Sequence, residues 1–205
     1  MRELNIVIKR GLTDNASRQV VINNELVKFE DKNILNNTFT AFLKDEIAEY
    51  KFGIYWLRLD LTFGRQYRIY IRNINNKVLK INFKTYFGRR VNEYHKKYND
   101  ILDALWKHHF GPITDTYLRK FQNEEEFMIT NVHFTKDGVD LKGRNMFIPW
   151  SDVRTSDYHS YFSIYSIKKP DRINKGYSYM EDWNTSVLCS VLRTILKFKN
   201  IENHN

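Results

Sequence analysis

The sequence is poor in the residues that build disulfide scaffolds, metal fingers and unstructured linkers. Cys189 is the only cysteine in 205 residues, so no intrachain disulfide can form and cysteine-based zinc sites of the finger type are excluded. A reducing cytoplasm is the expected setting. The chain has 3 prolines and 8 glycines, far below a collagenous or Pro/Gly-rich disordered composition. It contains no GxxxxGK[ST] or GxGxxG phosphate loop and no Gly-x-Ser-x-Gly elbow. Nucleotide cofactors and elbow-type nucleophilic catalysis therefore have no support in the sequence, and no cofactor is expected. No uncharged apolar run approaches the roughly 18 to 20 residues of a bilayer span, and the opening Met1–Asn5 has no apolar h-region, so neither an inserted segment nor an ordinary secretory signal is expected.

What the chain does have is apolar and basic residues. Hydrophobic residues make up 42% and aromatics 15%, ample for packed cores in one large domain or two of about 100 residues. The net charge of +9 is placed unevenly: residues 1–110 carry 20 Lys/Arg against 12 Asp/Glu, the remainder 13 against 12. Between 65 and 97 ten basic residues, Arg65, Arg68, Arg72, Lys77, Lys80, Lys84, Arg89, Arg90, Lys96 and Lys97, face Glu93 alone. Such a segment attracts nucleic acid, anionic lipid headgroups or an acidic protein; the plainer reading is a solvated face in a Lys- and Asn-rich chain.

Periodicity sets the expected elements. Val20–Phe29 places two β-prone runs around Asn23-Asn24, and asparagine tolerates the positive φ of tight hairpin turns. Ile54–Phe63 alternates Leu57, Leu59, Leu61 and Phe63 with Arg58, Asp60 and Thr62, which reads as a strand with one buried face. Gln66–Arg72 sets Tyr67, Ile69 and Ile71 against Arg68, Tyr70 and Arg72, then turns through Asn73–Asn76 into Val78–Phe83. From Val91 the period changes to three and four, with Tyr94, Tyr98, Ile101, Leu102, Leu105 and Trp106 on one helical face to about His109. Gly111-Pro112 is expected to end this helix, and Thr114–Gln122 to add a short one. The boundary between two units is placed here, at 1–112 and 113–205.

Beyond it, Phe127–Thr135, the turn Lys136-Asp137-Gly138, and Val139–Leu141 predict a hairpin. Met146–Val153 and Tyr161–Ile167 read as further short strands, with Pro149 suited to an edge or strand end. Val187, Leu188, Val191, Leu192, Ile195 and Leu196 share the face of a last helix, with Asp182 as its expected N-cap. The halves overlay: Phe39–Ile47 parallels Phe147–Val153 if two extra residues are allowed before Ile47.

Phe134-Thr135-Lys136-Asp137-Gly138-Val139 followed by Phe147-Ile148-Pro149-Trp150-Ser151-Asp152-Val153, more β structure and a final helix is similar to the pattern of bacterial PH-like (pleckstrin-homology-like) domains. The match spans about residues 124–200 and is weaker in the first half. The resemblance implies a mainly β fold with α: two strongly bent antiparallel β-sandwich or barrel units in tandem, each closed by a C-terminal amphipathic helix. It also implies a bacterial, cytoplasmic binding protein rather than an enzyme. Lipid-binding members of eukaryotes use a basic cluster between the first two strands, to which Lys9, Arg10 and Arg18 are the nearest equivalent here.

Two kinds of partner follow. The first is another protein or a second copy of the chain, favoured by exposed strand edges and the supply of aromatic residues. The second is anionic membrane or nucleic acid, met by Arg65, Arg68, Tyr70, Arg72, Lys80, Lys84, Arg89 and Arg90; Arg68, Tyr70 and Arg72 would share a strand face able to hold phosphates and stack a base. No catalytic residue and no metal site is expected. Cys189 sits between core positions of a helix, Asp45/Glu46 and Asp137/Asp140 fall in polar turns, and His95, His108 and His109 lack ligand spacing.

Overall fold

The computed structural model describes residues 3–11, 16–30, 39–59, 62–141 and 146–201. Among the described residues the chain is mainly β with three α-helices, and it divides into two compact units, Met1–Gly111 and Pro112–Asn205. No helix among the described residues is long and apolar enough to cross a membrane.

In the first unit, β1 (Leu4–Lys9), β2 (Ser17–Ile22), β3 (Leu26–Phe29) and β4 (Thr40–Leu43) form an antiparallel sheet in that order. A 3-10 turn, Lys44–Glu46, leads to a second sheet of β5 (Ile47–Leu59), β6 (Thr62–Asn73) and β7 (Val78–Tyr86). Helix α1 (Val91–Leu105) follows. Alternation along β6 sends Tyr67, Ile69 and Ile71 into the core, where Ile81 and Phe83 of β7 and Ile8, Val20 and Phe29 of the first sheet are equally buried. Tyr94, Tyr98, Ile101 and Leu105 form the buried stripe of α1. Its rings meet the sheet directly, with Tyr98 5.4 Å from Tyr67 and Tyr94 5.7 Å from Phe83. Each such buried side chain removes apolar surface from water at about 2 to 3 kcal/mol.

The second unit opens with α2 (Gly111–Gln122) and then repeats the same order. β8 (Phe127–Ile129), β9 (Val132–Phe134), β10 (Gly138–Asp140) and β11 (Phe147–Pro149) form one antiparallel sheet. A 3-10 turn, Trp150–Asp152, precedes the sheet of β12 (Val153–Asp157), β13 (Tyr161–Ser166) and β14 (Asn174–Ser178), and α3 (Thr185–Phe198) closes the order. None of the four sheets closes into a barrel among the described residues.

The repetition extends to single hydrogen bonds. Lys44 N–H donates to the Glu25 carbonyl in the β2–β3 turn, and Trp150 N–H to the Asp137 carbonyl in the β9–β10 turn. Ile74 N–H donates to the Glu46 carbonyl as Ile167 N–H does to Asp152. Both closing helices start from a residue in the left-handed region, Arg90 (φ 55) and Asn184 (φ 60). These bonds pair Ala41–Ile47 with Phe147–Val153 without a gap, so the two-residue insertion expected from sequence is not needed. Phe42 then matches Ile148 and Ile47 matches Val153, all four buried.

Several elements differ from expectation. The run Ile54–Phe63 is not one strand: β5 ends at Leu59, β6 begins at Thr62, and the two residues pair across a hairpin. Phe63 is consequently exposed, while Asp60 and Leu61 lie outside the described residues. Phe127–Thr135 likewise folds back on itself at Thr130 (φ 57) to give β8 and β9. Neither Asn23 nor Asn24 takes a positive φ; the Asn23 side-chain oxygen instead accepts the N–H groups of Glu25 and Leu26, an Asx turn.

Helical structure also continues through Gly111-Pro112. Trp106–Phe110 forms a π turn in which Gly111 N–H reaches the Trp106 carbonyl. A proline has no N–H for the preceding turn, and a π turn is where such a misfit is absorbed. Asp182 does not cap α3; its carboxylate accepts the Ser178 N–H at 2.8 Å, and Asn184 holds the cap position.

Trp150 pins the β9–β10 turn through its indole N–H, 3.0 Å from the Lys136 carbonyl. Gly138 lies so close to β11 that a Cβ there would be driven into the Ile148 carbonyl. Trp150→Phe, which keeps a ring but removes the donor, is expected to lower stability by about 1 to 2 kcal/mol, and Gly138→Ala by about 2 kcal/mol or more. Urea midpoints measured at constant m-value check both.

Candidate functional site

The reversal from β7 into α1 is made by Phe87 (φ 55), Gly88 (φ 68) and Arg90 (φ 55). Left-handed backbone at a non-glycine residue costs about 1 kcal/mol or more, so the corner is held by its surroundings. Phe87 N–H donates to the Phe63 carbonyl at 2.9 Å, Arg89 N–H to Tyr86 at 3.0 Å, and the Arg90 carbonyl accepts the first helical bond from Tyr94. Tyr86 also lies beside Gly11, past the end of β1.

This packing opens a groove of about 470 Å3 along the end of β7, whose lining includes Lys9, Lys84, Tyr86, Phe87, Arg89 and Arg90 and, among the described residues, no acidic side chain. The nearest carboxylate on α1, Glu93, is 3.9 Å from Arg90 and 2.9 Å from Lys97; the hydrogen bond from Lys97 holds its carboxyl below the usual range. At the rim, Phe63 and Phe87 are 59% and 46% exposed, and their rings meet edge to face at 5.8 Å.

The residues expected to meet an anion therefore separate. Lys84, Arg89 and Arg90 converge, and Lys9 joins them from the other end of the sequence. Arg68, Tyr70, Arg72 and Lys80 share the outer face of the second sheet with Lys84 but lie farther along it, engaged with neighbours in their own sheet. Arg72 is ion-paired with Glu49, Arg68 donates to Gln66 at 2.9 Å and lies over Tyr55, and Lys80 lies over Tyr70 at 5.9 Å. Arg65 stacks on Trp56 at 4.5 Å. Arg10 lies over Phe29, and Arg18 is buried and donates to the Glu30 carbonyl. The exposed pair Phe63 and Phe87 escaped sequence reasoning, which placed Phe63 in a core; the run Phe87-Gly88-Arg89-Arg90 was the available signal.

Other reactive groups have structural settings. The Glu46 carboxylate accepts the Leu43 N–H at 2.8 Å and closes the 3-10 turn. Burial pushes the Cys189 thiol up, away from the thiolate that nucleophilic chemistry needs. Among the described residues no group of three or more His, Cys, Asp or Glu side chains is placed to hold a metal ion. The chain matches no protein-family model, no curated protein and no solved structure.

His109 is 2% exposed on the π turn and lies near backbone groups of Asn23 and Leu26, with no well-formed hydrogen bond to either ring nitrogen. Burial, offset in part by those backbone groups, lowers its pKa to about 4. The unfolded chain takes up a proton near pH 6.5 while the folded one resists it. Stability is thus complete above about pH 6.5 and falls toward pH 4, by about 3 kcal/mol from this group. Urea unfolding at pH 7 and 4.5 should show a drop about 2 kcal/mol smaller for His109→Leu than for the unsubstituted chain.

Proposed function

We propose that the chain is a non-catalytic binding protein of tandem PH-like architecture whose first unit docks on an anionic membrane surface. The observation that carries this reading is the convergence of Lys9, Lys84, Arg89 and Arg90 on one open groove with no acid among the described residues of its lining. The duplicated order of a four-stranded sheet, a 3-10 turn, a three-stranded sheet and a closing helix supports the PH-like part. The duplicated polypeptide spends its apolar side chains on two cores, which leaves binding at the surface as its task.

Membrane is favoured over nucleic acid by the aromatic residues. Phe63 and Phe87 stand exposed beside the cations, the arrangement that lets rings enter the interface while basic groups meet headgroups. A strand that stacked bases would need free ring faces, yet Tyr70, Tyr55 and Trp56 each carry a cation of their own sheet.

Sedimentation with vesicles containing phosphatidylglycerol tests the reading against pure phosphatidylcholine vesicles. Binding is expected to phosphatidylglycerol only, to weaken as salt rises, and to fall roughly 30-fold in Lys84→Ala/Arg89→Ala, at about 1 kcal/mol per charge. Phe87→Ser should weaken it further. If a single-stranded oligonucleotide displaces the vesicles and its own binding ignores Phe87→Ser, nucleic acid replaces membrane as the partner. Binding to neither ends the proposal.

A further inference from the structure

The groove at the end of β7 holds more than cations. Thr85 lines it between Lys84 and Tyr86; its side chain is 3% exposed, and its hydroxyl has no hydrogen-bond partner among the described residues. Thr185, buried to the same degree, donates instead to the Ser178 carbonyl at 3.0 Å. A buried hydroxyl left unpaired lowers stability, and a ligand atom that accepts from it removes the penalty.

Two other features meet at the same place. Lys9, Lys84 and Arg89 make no ion pair among the described residues, and Arg90 comes no nearer to Glu93 than 3.9 Å. Helix α1 also begins here. Arg90 holds its cap position and supplies no side-chain acceptor, and Tyr94 of α1 forms part of the groove wall. The leading N–H groups of a helix lack partners within it and carry the positive end of its dipole, so they add to the field of the cations.

We infer that this groove seats a terminal phosphate, the doubly charged group of a phosphate monoester, and does more than meet the diffuse charge of an anionic surface. The inference rests on the reading of the groove as the anion site of the first unit and names the ligand class of that site. A phosphodiester such as that of phosphatidylglycerol carries one charge. A monoester carries about −1.5 to −2 at pH 7 and offers three acceptor oxygens. The groove brings donors of three kinds: the cations Lys9, Lys84 and Arg89, the leading N–H groups of α1, and the Thr85 hydroxyl. That set matches two charges and three oxygens better than one charge. The same group ends a lipid such as phosphatidic acid and a soluble compound such as glycerol 3-phosphate; the groove recognises the group, and the source is read by experiment.

Two matched pairs of ligands test this on the full chain. Phosphatidic acid vesicles are compared with phosphatidylglycerol vesicles of equal zeta potential, and glycerol 3-phosphate with the diester glycerophosphoglycerol in calorimetric titrations. A preference of roughly fivefold or more for the monoester is expected in at least one pair; the vesicle pair gives the group to a lipid, the soluble pair to a free metabolite. Thr85→Val, which keeps the shape and removes the hydroxyl, should bring the preference to about one and raise the Tm. Thr85→Ser, which keeps the donor, should retain the preference. A preference that Thr85→Val leaves intact overturns the inference. Equal binding to both kinds of vesicle, with no preference in solution, overturns it while the membrane reading stands. A monoester preference in solution without vesicle binding upholds it while the membrane reading falls, and binding of none of the four ligands ends both.

Discussion

The corner at which each first sheet hands over to the second is the constraint on which the rest of each unit depends. It is a single 3-10 turn, fastened at its start to the turn between the second and third strands and at its end to the turn between the last two strands of the other sheet. These are backbone bonds, Lys44 to Glu25 and Ile74 to Glu46 in one unit, Trp150 to Asp137 and Ile167 to Asp152 in the other. Because they use peptide groups and not side chains, the sequence around them is free to diverge. Lys44 and Trp150 occupy the same position and could hardly be less alike.

That freedom explains how one frame carries two characters. The first unit has most of the excess charge and gathers part of it at the end of β7. The second is nearly neutral and keeps an apolar groove beside Trp150, whose ring packs against Phe121 and Phe134. A common scaffold says little about what each copy binds; the residues placed on it decide. The engaged cations on the outer face of β6 make the same point in reverse. Arg72 and Arg68 add to the net charge, but their partners Glu49, Gln66 and Tyr55 keep them within the sheet.

Long amphipathic elements were legible in the sequence. The β6 alternation from Tyr67 to Ile71 and the stripes of α1 and α3 each bury one face, and burial of one face is what periodicity records. Short strands were not. β14 buries Tyr177 alone, and β1 has apolar residues on both faces, so neither carries a clean period. The strand expected across Ile54–Phe63 failed because the apolar alternation of the sequence runs on past the reversal, where the pairing of Arg58 with Phe63 puts that ring on the face opposite Leu57. The groove was half legible: Lys84, Arg89 and Arg90 are close in sequence, but their meeting with Lys9 depends on how β1 ends beside Tyr86. Nothing local announces that Phe87 and Arg90 will adopt left-handed backbone, since glycine and asparagine are the usual signs of it.

At Arg90 the two copies of the frame allow a direct comparison of priorities. Asn184, at the equivalent position, is a residue type that accepts left-handed backbone with ease; arginine does not. Selection for folding alone would favour asparagine or glycine at both corners. The two corners thus hang different side chains on the same backbone geometry, so exchanging Arg90 for asparagine would take a cation out of the groove while relaxing the backbone beneath it.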